Sequence, residues 1–421
     1  MMQRSRSACV ALMSTVLLVS CQTQVQWPWQ DPGGLKLGSL LPLTGDLAQY
    51  GRPMQDTAEL LVQTVNACGG VQGLPVRLIP ADDETKPDRG VAAMTKLAEV
   101  DRVAGVVGAA ASNVSDAALT LAVNNRVVMI SPSSTSPRFT ERARRGDFKG
   151  YWFRTAPSDA LQGPALAKLA LDQGWRSVSV IAINNDYGNG LLRSFIPAFE
   201  QAGGVVFNRD QPVLYTPDAS SFDSEVEQVF RDRPDAVVLI GYPDSGALIL
   251  KSAYEKGLLG QSTQMLLTDG LKTDQLAELV GRNPQGRYIV QDLVGVAPSS
   301  GGPGREAFLK RYQERFQRSP QVFDANTWDA AALLVLAAEK SKSLEGEKLK
   351  DSVAAIANGP GEPVSDICQA LALVRAGKPI NYQGASSELK LDNNGDVSGR
   401  YDFWQFDADG KVKILKTESF Q

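Results

Sequence analysis

Hydroxyl side chains and small residues crowd two stretches, Gly108-Ala-Ala-Ala-Ser112-Asn113 and Ser131-Pro-Ser133-Ser134-Thr135, each directly after an apolar run. Such stretches offer hydroxyls and free N–H groups to an anion and, lacking bulk, let it approach the backbone. Helix capping uses the same residue types, so either stretch taken alone is equally a cap. Further along, Asn185-Asp186-Tyr187-Gly188, Gly241-Tyr242-Pro243-Asp244 and Thr268-Asp269-Gly270 also follow apolar runs, and they add two phenols and an acceptor carboxylate. Hydroxyl donors facing a carboxylate suit a molecule that carries both charges.

Catalytic chemistries find less support. The 421 residues contain no histidine, which removes Ser/His/Asp and Cys/His devices, imidazole bases and His-ligated zinc. The four cysteines, at 9, 21, 68 and 368, show no C-x-x-C spacing. Asp392-Asn393-Asn394-Gly395-Asp396 opens like a calcium loop, but Val397 stands where glycine is needed and Phe403 where the closing glutamate belongs. Ser387 to Lys390 fits S-x-x-K without its partner motifs, and the P-loop, nucleophile-elbow and dinucleotide fingerprints are missing. Asp82-Asp83 reads as a solvated loop after a strand. No cofactor, metal or catalytic residue is expected, and 43 basic against 47 acidic residues speak against a nucleic-acid partner.

The elements that position the loops alternate. Leu35–Leu43, Val76–Ile79, Val103–Val107 and Val127–Ile130 are short and β-branched, with helical patterns between them. Met54, Ala58, Leu61, Val62 and Val65 recur at helical spacing, so a helix is predicted from about Arg52 to Cys68, ending at Gly69-Gly70. A second series comprises Val178–Ile183, Val205–Val206, Ala236–Ile240 and Met265–Leu267, with helices at Leu161–Leu171 and Phe222–Phe230. Two parallel, doubly wound sheets of the α/β class are the economical reading, with ligand loops beyond the strand carboxyl ends. Ala325–Glu339 is an apolar helix. Ser387–Leu391 and Tyr401–Phe406 alternate like antiparallel strands, with Asn394-Gly395 and Asp409-Gly410 as turns.

Residues 1–20 read as a secretory signal, with Arg4 and Arg6 before a brief apolar run. Leu18-Val19-Ser20-Cys21 resembles a bacterial lipobox, which makes Cys21 a lipidation site; an ordinary signal peptide with a chance cysteine is the alternative. Residues 21–34 then form a polar tether. Removing Cys9 and assigning Cys21 to lipid leaves Cys68 and Cys368 in an oxidising compartment, as a disulfide or as two buried thiols.

From Leu37 to about Phe406 the chain resembles the periplasmic solute-binding proteins of branched-chain amino acid ABC transporters, the leucine/isoleucine/valine-binding type. The matching words are Leu41-Pro-Leu-Thr-Gly-Asp-Leu-Ala-Gln-Tyr-Gly51, Cys68-Gly-Gly-Val-Gln-Gly73, Ser131-Pro-Ser-Ser-Thr135, Phe153-Arg-Thr155 with Asp159 and Gln162-Gly163, Asn185-Asp-Tyr-Gly188 and Tyr382-Gln-Gly-Ala-Ser386. Each word is short; their order and spacing carry the likeness.

The resemblance implies a type I periplasmic-binding fold, two doubly wound lobes joined by a three-stranded hinge. Lobe 1 would hold 35–155 plus 297–385 and lobe 2 156–296 plus 386–421, with crossings near Thr155–Asp159, Val290–Val296 and Asp402–Phe406. Cys68 and Cys368 then share lobe 1. It further implies lobe-one contacts to the α-carboxylate and α-ammonium from Ser112, Ser133 and Thr135, and lobe-two contacts from Tyr187, Tyr242 and Asp269. Asp269 stands where the family carries glutamate. Tyr50 matches an aromatic against the ligand side chain, or closes the core; Asp159 matches a hinge-side carboxylate, or caps a helix. The implied function is capture of a small neutral amino acid by closure and delivery to the permease of an ABC transporter, from an exported, periplasmic, lipid-anchored protein that is not an enzyme. Sensing of an amide, urea or another small polar solute on the same fold is the alternative.

Overall fold

Each β-branched run becomes a strand flanked by helices. The computed structural model describes residues 33–260 and 263–420; the signal segment, Cys21 and most of the tether lie outside the described residues. Among the described residues, β1 (Lys36–Leu41), β2 (Arg77–Asp82), β3 (Gly105–Gly108), β4 (Val128–Ser131) and β5 (Trp152–Arg154) form a parallel sheet in the order β2-β1-β3-β4-β5. Strands β3 and β4 are buried along their whole length, as parallel strands covered on both faces must be. Four helices follow the first four strands in turn: α1 (Ala48–Ala67), α2 (Pro87–Thr95), α3 (Ser112–Asn124) and α4 (Arg138–Arg144).

The chain leaves this sheet after Arg154 and, through α5 (Asp159–Asp172), begins a second sheet. Its parallel part comprises β6 (Ser177–Ile183), β7 (Val205–Val206), β8 (Val213–Tyr215), β9 (Ala236–Ile240), β10 (Gln264–Leu267) and β11 (Val294–Pro298). Helices α6 (Asp186–Gln201), α7 (Asp223–Phe230), α8 (Pro243–Glu255) and α9 (Gln275–Val280) connect these strands. The chain then returns through α10 (Arg305–Phe316), α11 (Asp324–Ser341), α12 (Gly346–Ala357), β12 (Glu362–Val364), α13 (Ile367–Arg375) and β13 (Ile380–Tyr382). Helix α11, buried from Asp324 to Glu339, packs on α1, β3 and β4, and so belongs with the first sheet. Finally β14 (Gly399–Phe406) pairs antiparallel with β11, and β15 (Val412–Phe420) antiparallel with β14, extending the second sheet.

Three expectations shift. Helix α1 begins at Ala48, ahead of Arg52, and runs through Pro53, which gives up one intrahelical bond. The pattern Ser387–Leu391 is not a strand, because Leu389 adopts φ 54° and breaks the extended backbone; only an isolated bridge joins Leu391 to Val397 around the Asn394-Gly395 turn. The segments 290–296 and 402–406 do not cross between sheets. Val294–Pro298 is fully buried between β10 and β14, and Asp402–Phe406 lies inside β14, so the passages follow Pro298 and precede Gly399.

Cys68 and Cys368 are disulfide-bonded, with Cα atoms 5.6 Å apart across a sequence separation of 300. The bond ties the end of α1 to the first turn of α13. No helix among the described residues is long and apolar enough to cross a membrane.

Candidate ligand-binding site

The carboxyl ends of β1, β3 and β4 face those of β6, β9 and β10, and the loops beyond them surround one cavity of about 380 Å³ of empty space. Tyr50 and Met54 come from the start of α1, Ser112 from the start of α3, and Ser133 from the loop after β4. From the second sheet come Tyr187 at the start of α6, Tyr242 before α8, and Asp269 with Gly270 after β10. Six of the eight sequence-predicted ligand residues therefore share one cavity.

The first-sheet side is built to donate. Helix α3 has Ala111 at its N-cap, no side-chain cap and no acidic residue in its first turn. Its leading N–H groups thus keep the partial positive charge of an uncapped helix start. Ser112 accepts the N–H of Ser136 at 3.3 Å, which leaves its own hydroxyl hydrogen uncommitted. Ser133 donates to the carbonyl of Ala110 at 3.1 Å. The neighbouring hydroxyls are scaffold: Ser131 donates to the carbonyl of Ala109 at 2.6 Å, and Ser134 contacts the carbonyls of Ala109 and Ala110 at 3.2 and 3.1 Å. The serines of these loops thus divide between bonds that hold the loops together and positions in the cavity wall.

Beneath the serine loop sits the fully buried Arg154. Its Nε donates to Asp396 at 2.6 Å, Nη1 to the carbonyls of Ser134 and Ser136 at 3.2 and 3.0 Å, and Nη2 to Thr140 at 2.9 Å. A planar fork with five donors can hold two carbonyls, a hydroxyl and a carboxylate at once, which a lysine cannot.

The second-sheet side is built to accept. Tyr187 donates to Oδ1 of Asp269 at 2.7 Å and Gln162, from α5, donates to the same oxygen at 2.7 Å. Oδ2 meets no side-chain donor among the described residues. Gly270 follows, and a Cβ there would run into the carbonyl of Gly241, so the turn that presents Asp269 requires glycine. The Tyr187 and Tyr242 rings stack at 5.8 Å, and Asn185 both caps α6 and donates to the Tyr242 hydroxyl at 3.2 Å. Tyr50 reaches across to the Gly270 carbonyl at 3.3 Å, so the cavity is closed in this conformation.

Thr135 and Asp159 stand behind the cavity wall. Thr135 donates to Oδ2 of Asp159 at 2.9 Å, both residues are fully buried, and Oδ1 of Asp159 lacks a partner. Ser158 caps α5 in place of Asp159, accepting the N–H of Ala160 at 3.3 Å. Burial raises the Asp159 carboxyl well above its usual range and Asp269 raises it further, while Arg154 opposes. Burial also raises Asp269, against the bonds from Tyr187 and Gln162. The cavity therefore has a helix start and hydroxyls at one end and one carboxylate, Asp269, at the other, with Leu47, Met54 and Phe323 supplying apolar wall.

Leu47, Met54, Phe323 and Gln162 were not singled out by residue type. Met54 sits in a helical pattern that reads as core, Leu47 precedes α1, and Phe323 precedes α11 rather than following a strand.

A family model described as periplasmic binding protein matches residues 34–381. The chain belongs to the periplasmic binding protein family. This periplasmic binding protein is 25% identical over 384 residues to the "Leu/Ile/Val-binding protein homolog 3" of Brucella melitensis, covering 91% of this chain and 94% of that one. Its fold matches the branched-chain amino acid transporter substrate-binding protein of Streptococcus pneumoniae in complex with isoleucine, with TM-score 0.74, 20% identity, 92% of this chain and 99% of that chain. It equally matches a solute-binding protein of R. palustris in complex with benzoate, with TM-score 0.73, 20% identity, 92% and 97% coverage. The fold is thus the type I periplasmic-binding arrangement, and family membership makes the chain an exported, periplasmic solute-binding component of transport rather than an enzyme.

Proposed function

We propose that this periplasmic binding protein captures a neutral amino acid of branched-chain size by closing its two lobes, and delivers it to the permease of an ABC importer. One observation carries the reading: the uncapped start of α3 with Ser112 and Ser133 faces Asp269 across a cavity whose remaining wall is apolar. The α-carboxylate would meet the first, the ammonium the second, and Leu47, Tyr50, Met54 and Phe323 the side chain. Tyr187 and Tyr242 line the second half, and Thr135 and Asp159 support the wall from behind. The relatives that bind leucine, isoleucine and valine support this ligand class.

With the passages after Pro298 and before Gly399, lobe 1 is assigned 35–155 plus 299–398 and lobe 2 156–298 plus 399–421. Closure follows from differential affinity, because groups on both lobes contact a ligand only in the closed form. Lipidation at Cys21 would hold the protein at the membrane beside its permease.

A benzoate-like ligand suits the stacked phenols but leaves Asp269 without a cation, and a buried unpaired carboxylate is unfavourable. An amide or urea leaves the apolar wall unfilled. A thermal-shift panel decides: isoleucine, leucine, valine and alanine against benzoate, acetamide and urea. At a hundredfold excess over Kd a bound ligand stabilises by about 2.7 kcal/mol. Stabilisation by amino acids is the expected result; stabilisation only by benzoate or urea overturns the roles given to Asp269 and Ser112.

A further inference from the structure

A second cavity lies back to back with the first. The two share a wall made of two short segments: Gly270 and Phe323 face the ligand cavity, while Lys272, Val322 and Ala325 face the other. The second cavity holds about 1260 Å³ of space, open in part to solvent. It is lined from both halves of the molecule. Lys272 and Asp402 come from the second sheet and its loops, and Arg305 and Arg318 from α10 and the segment before α11, which pack with the first sheet through Phe308 and Trp328.

The charges in this cavity do not balance locally. Lys272 pairs with Asp402 at 2.9 Å, and Asp402 also accepts from Thr417 at 2.7 Å, so both of its oxygens are engaged. Asp274 is held by the N–H of Val412 at 2.9 Å and by Lys411 at 3.4 Å. Arg318 pairs with Asp56 at 2.6 Å. Arg305 bonds the carbonyl of Ser300 and has no carboxylate within ion-pair distance among the described residues. Burial disfavours the Lys272 ammonium, Asp402 favours it, and Arg305 adds a smaller opposition. Lys272 and Arg305, cations from opposite halves, thus line one cavity whose carboxylate Asp402 is fully used, with the hydroxyls of Thr273, Ser300 and Ser319 in the same wall.

We infer that this cavity is a second binding site, for a small oxyanion, a phosphate or a free carboxylate, held between Lys272 on one half and Arg305 with Arg318 on the other. Arginine forks match both oxyanions, and a bridging anion relieves the repulsion between Arg305 and Lys272. Because the anion contacts both halves, it favours the conformation that brings them together. The site is independent of which ligand the first cavity takes.

Titration calorimetry of the ligand-free protein with inorganic phosphate, at constant ionic strength set with chloride, tests this; malonate in a parallel arm separates a phosphate site from a carboxylate site. Saturable binding of at least one of the two is expected, weakened at least tenfold in Arg305→Gln and in Arg318→Gln. Arg305 is exposed, so its variant should keep the wild-type melting temperature and report on binding alone. Small-angle scattering should show the ligand-free protein becoming more compact with the bound anion. Absence of saturable binding, an affinity indifferent to Arg305→Gln, or binding without compaction overturns the proposal. Ligand binding in the first cavity is measured separately by the amino-acid panel, so failure of either reading is visible on its own.

Discussion

The hydroxyl of Tyr50 lies 3.3 Å from the carbonyl oxygen of Gly270, from a helix on the first sheet to the turn after a strand of the second. The turn it touches is the one that presents Asp269. Replacing this contact is a mild change, since Phe keeps the ring against the cavity. Tyr50→Phe is expected to weaken amino-acid binding by about 0.5–1.5 kcal/mol, the range of one neutral hydrogen bond. Asp269→Ala removes the partner of a buried ammonium and should weaken it by roughly 2–5 kcal/mol. Calorimetry on the two variants checks the order, and equal losses would contradict it.

Ligand affinity should depend on pH through Asp269. Burial raises its carboxyl, and an ammonium requires the ionised form. Affinity is therefore full above the raised value and falls as pH drops through it. Binding of isoleucine measured from neutral pH downward should weaken before the ligand's own carboxylate titrates, and Asp269→Asn should bind weakly with that pH dependence removed.

Stability has a pH dependence of its own. Asp83, Asp324 and Asp329 are each pushed up to about 7 by burial, from a usual value of 3.8. Between these values the folded chain holds protons that the unfolded chain has released, so stability falls as pH rises through the window. Each group contributes at most about 1.4 kcal/mol per pH unit. Carboxyls held low, such as Asp172 and Asp235, lose their contribution only below 3.8, outside the window. Urea denaturation should give a higher midpoint at about pH 5 than at about pH 7.5, and Asp329→Asn should flatten the slope.

Reduction of the Cys68–Cys368 bond should lower stability by about 2–5 kcal/mol. The bond joins the far end of α1 to α13, and neither cysteine lines the cavity. Replacing both cysteines with serine is expected to lower the melting temperature while leaving the amino-acid affinity within about threefold, a split that melting and calorimetry on one preparation resolve.

Much of this arrangement is legible in the sequence. Parallel strands buried on both faces must be β-branched runs, so β3, β4, β6 and β9 stand out, and the loops after the strand carboxyl ends locate Ser112, Ser133, Tyr187, Tyr242 and Asp269, which share one cavity. Strands of three residues, such as β5 and β8, carry too few positions to show a period. Alternation at Ser387–Leu391 misleads because one left-handed residue, Leu389, cancels it without changing composition. Side-chain direction was the other hidden quantity. Thr135 sits in the same hydroxyl run as Ser133, yet one turns to Asp159 and the other lines the cavity. Apolar lining residues resemble core, since cavity and core make the same demand on composition.

Arg154 has a kinetic consequence. By gripping the carbonyls of Ser134 and Ser136 from below and anchoring on Asp396, it orders the serine loop whether or not a ligand is present. The entropy of fixing that loop is lost when the chain folds, not when a solute arrives, and a docking surface ordered in advance keeps more of its interaction energy as affinity. Encounter then takes place on a surface already shaped, with association limited by diffusion and orientation rather than by loop rearrangement. On the proposed reading, residence time falls to the other half, where Tyr187, Tyr242 and Asp269 would withdraw before the solute escapes.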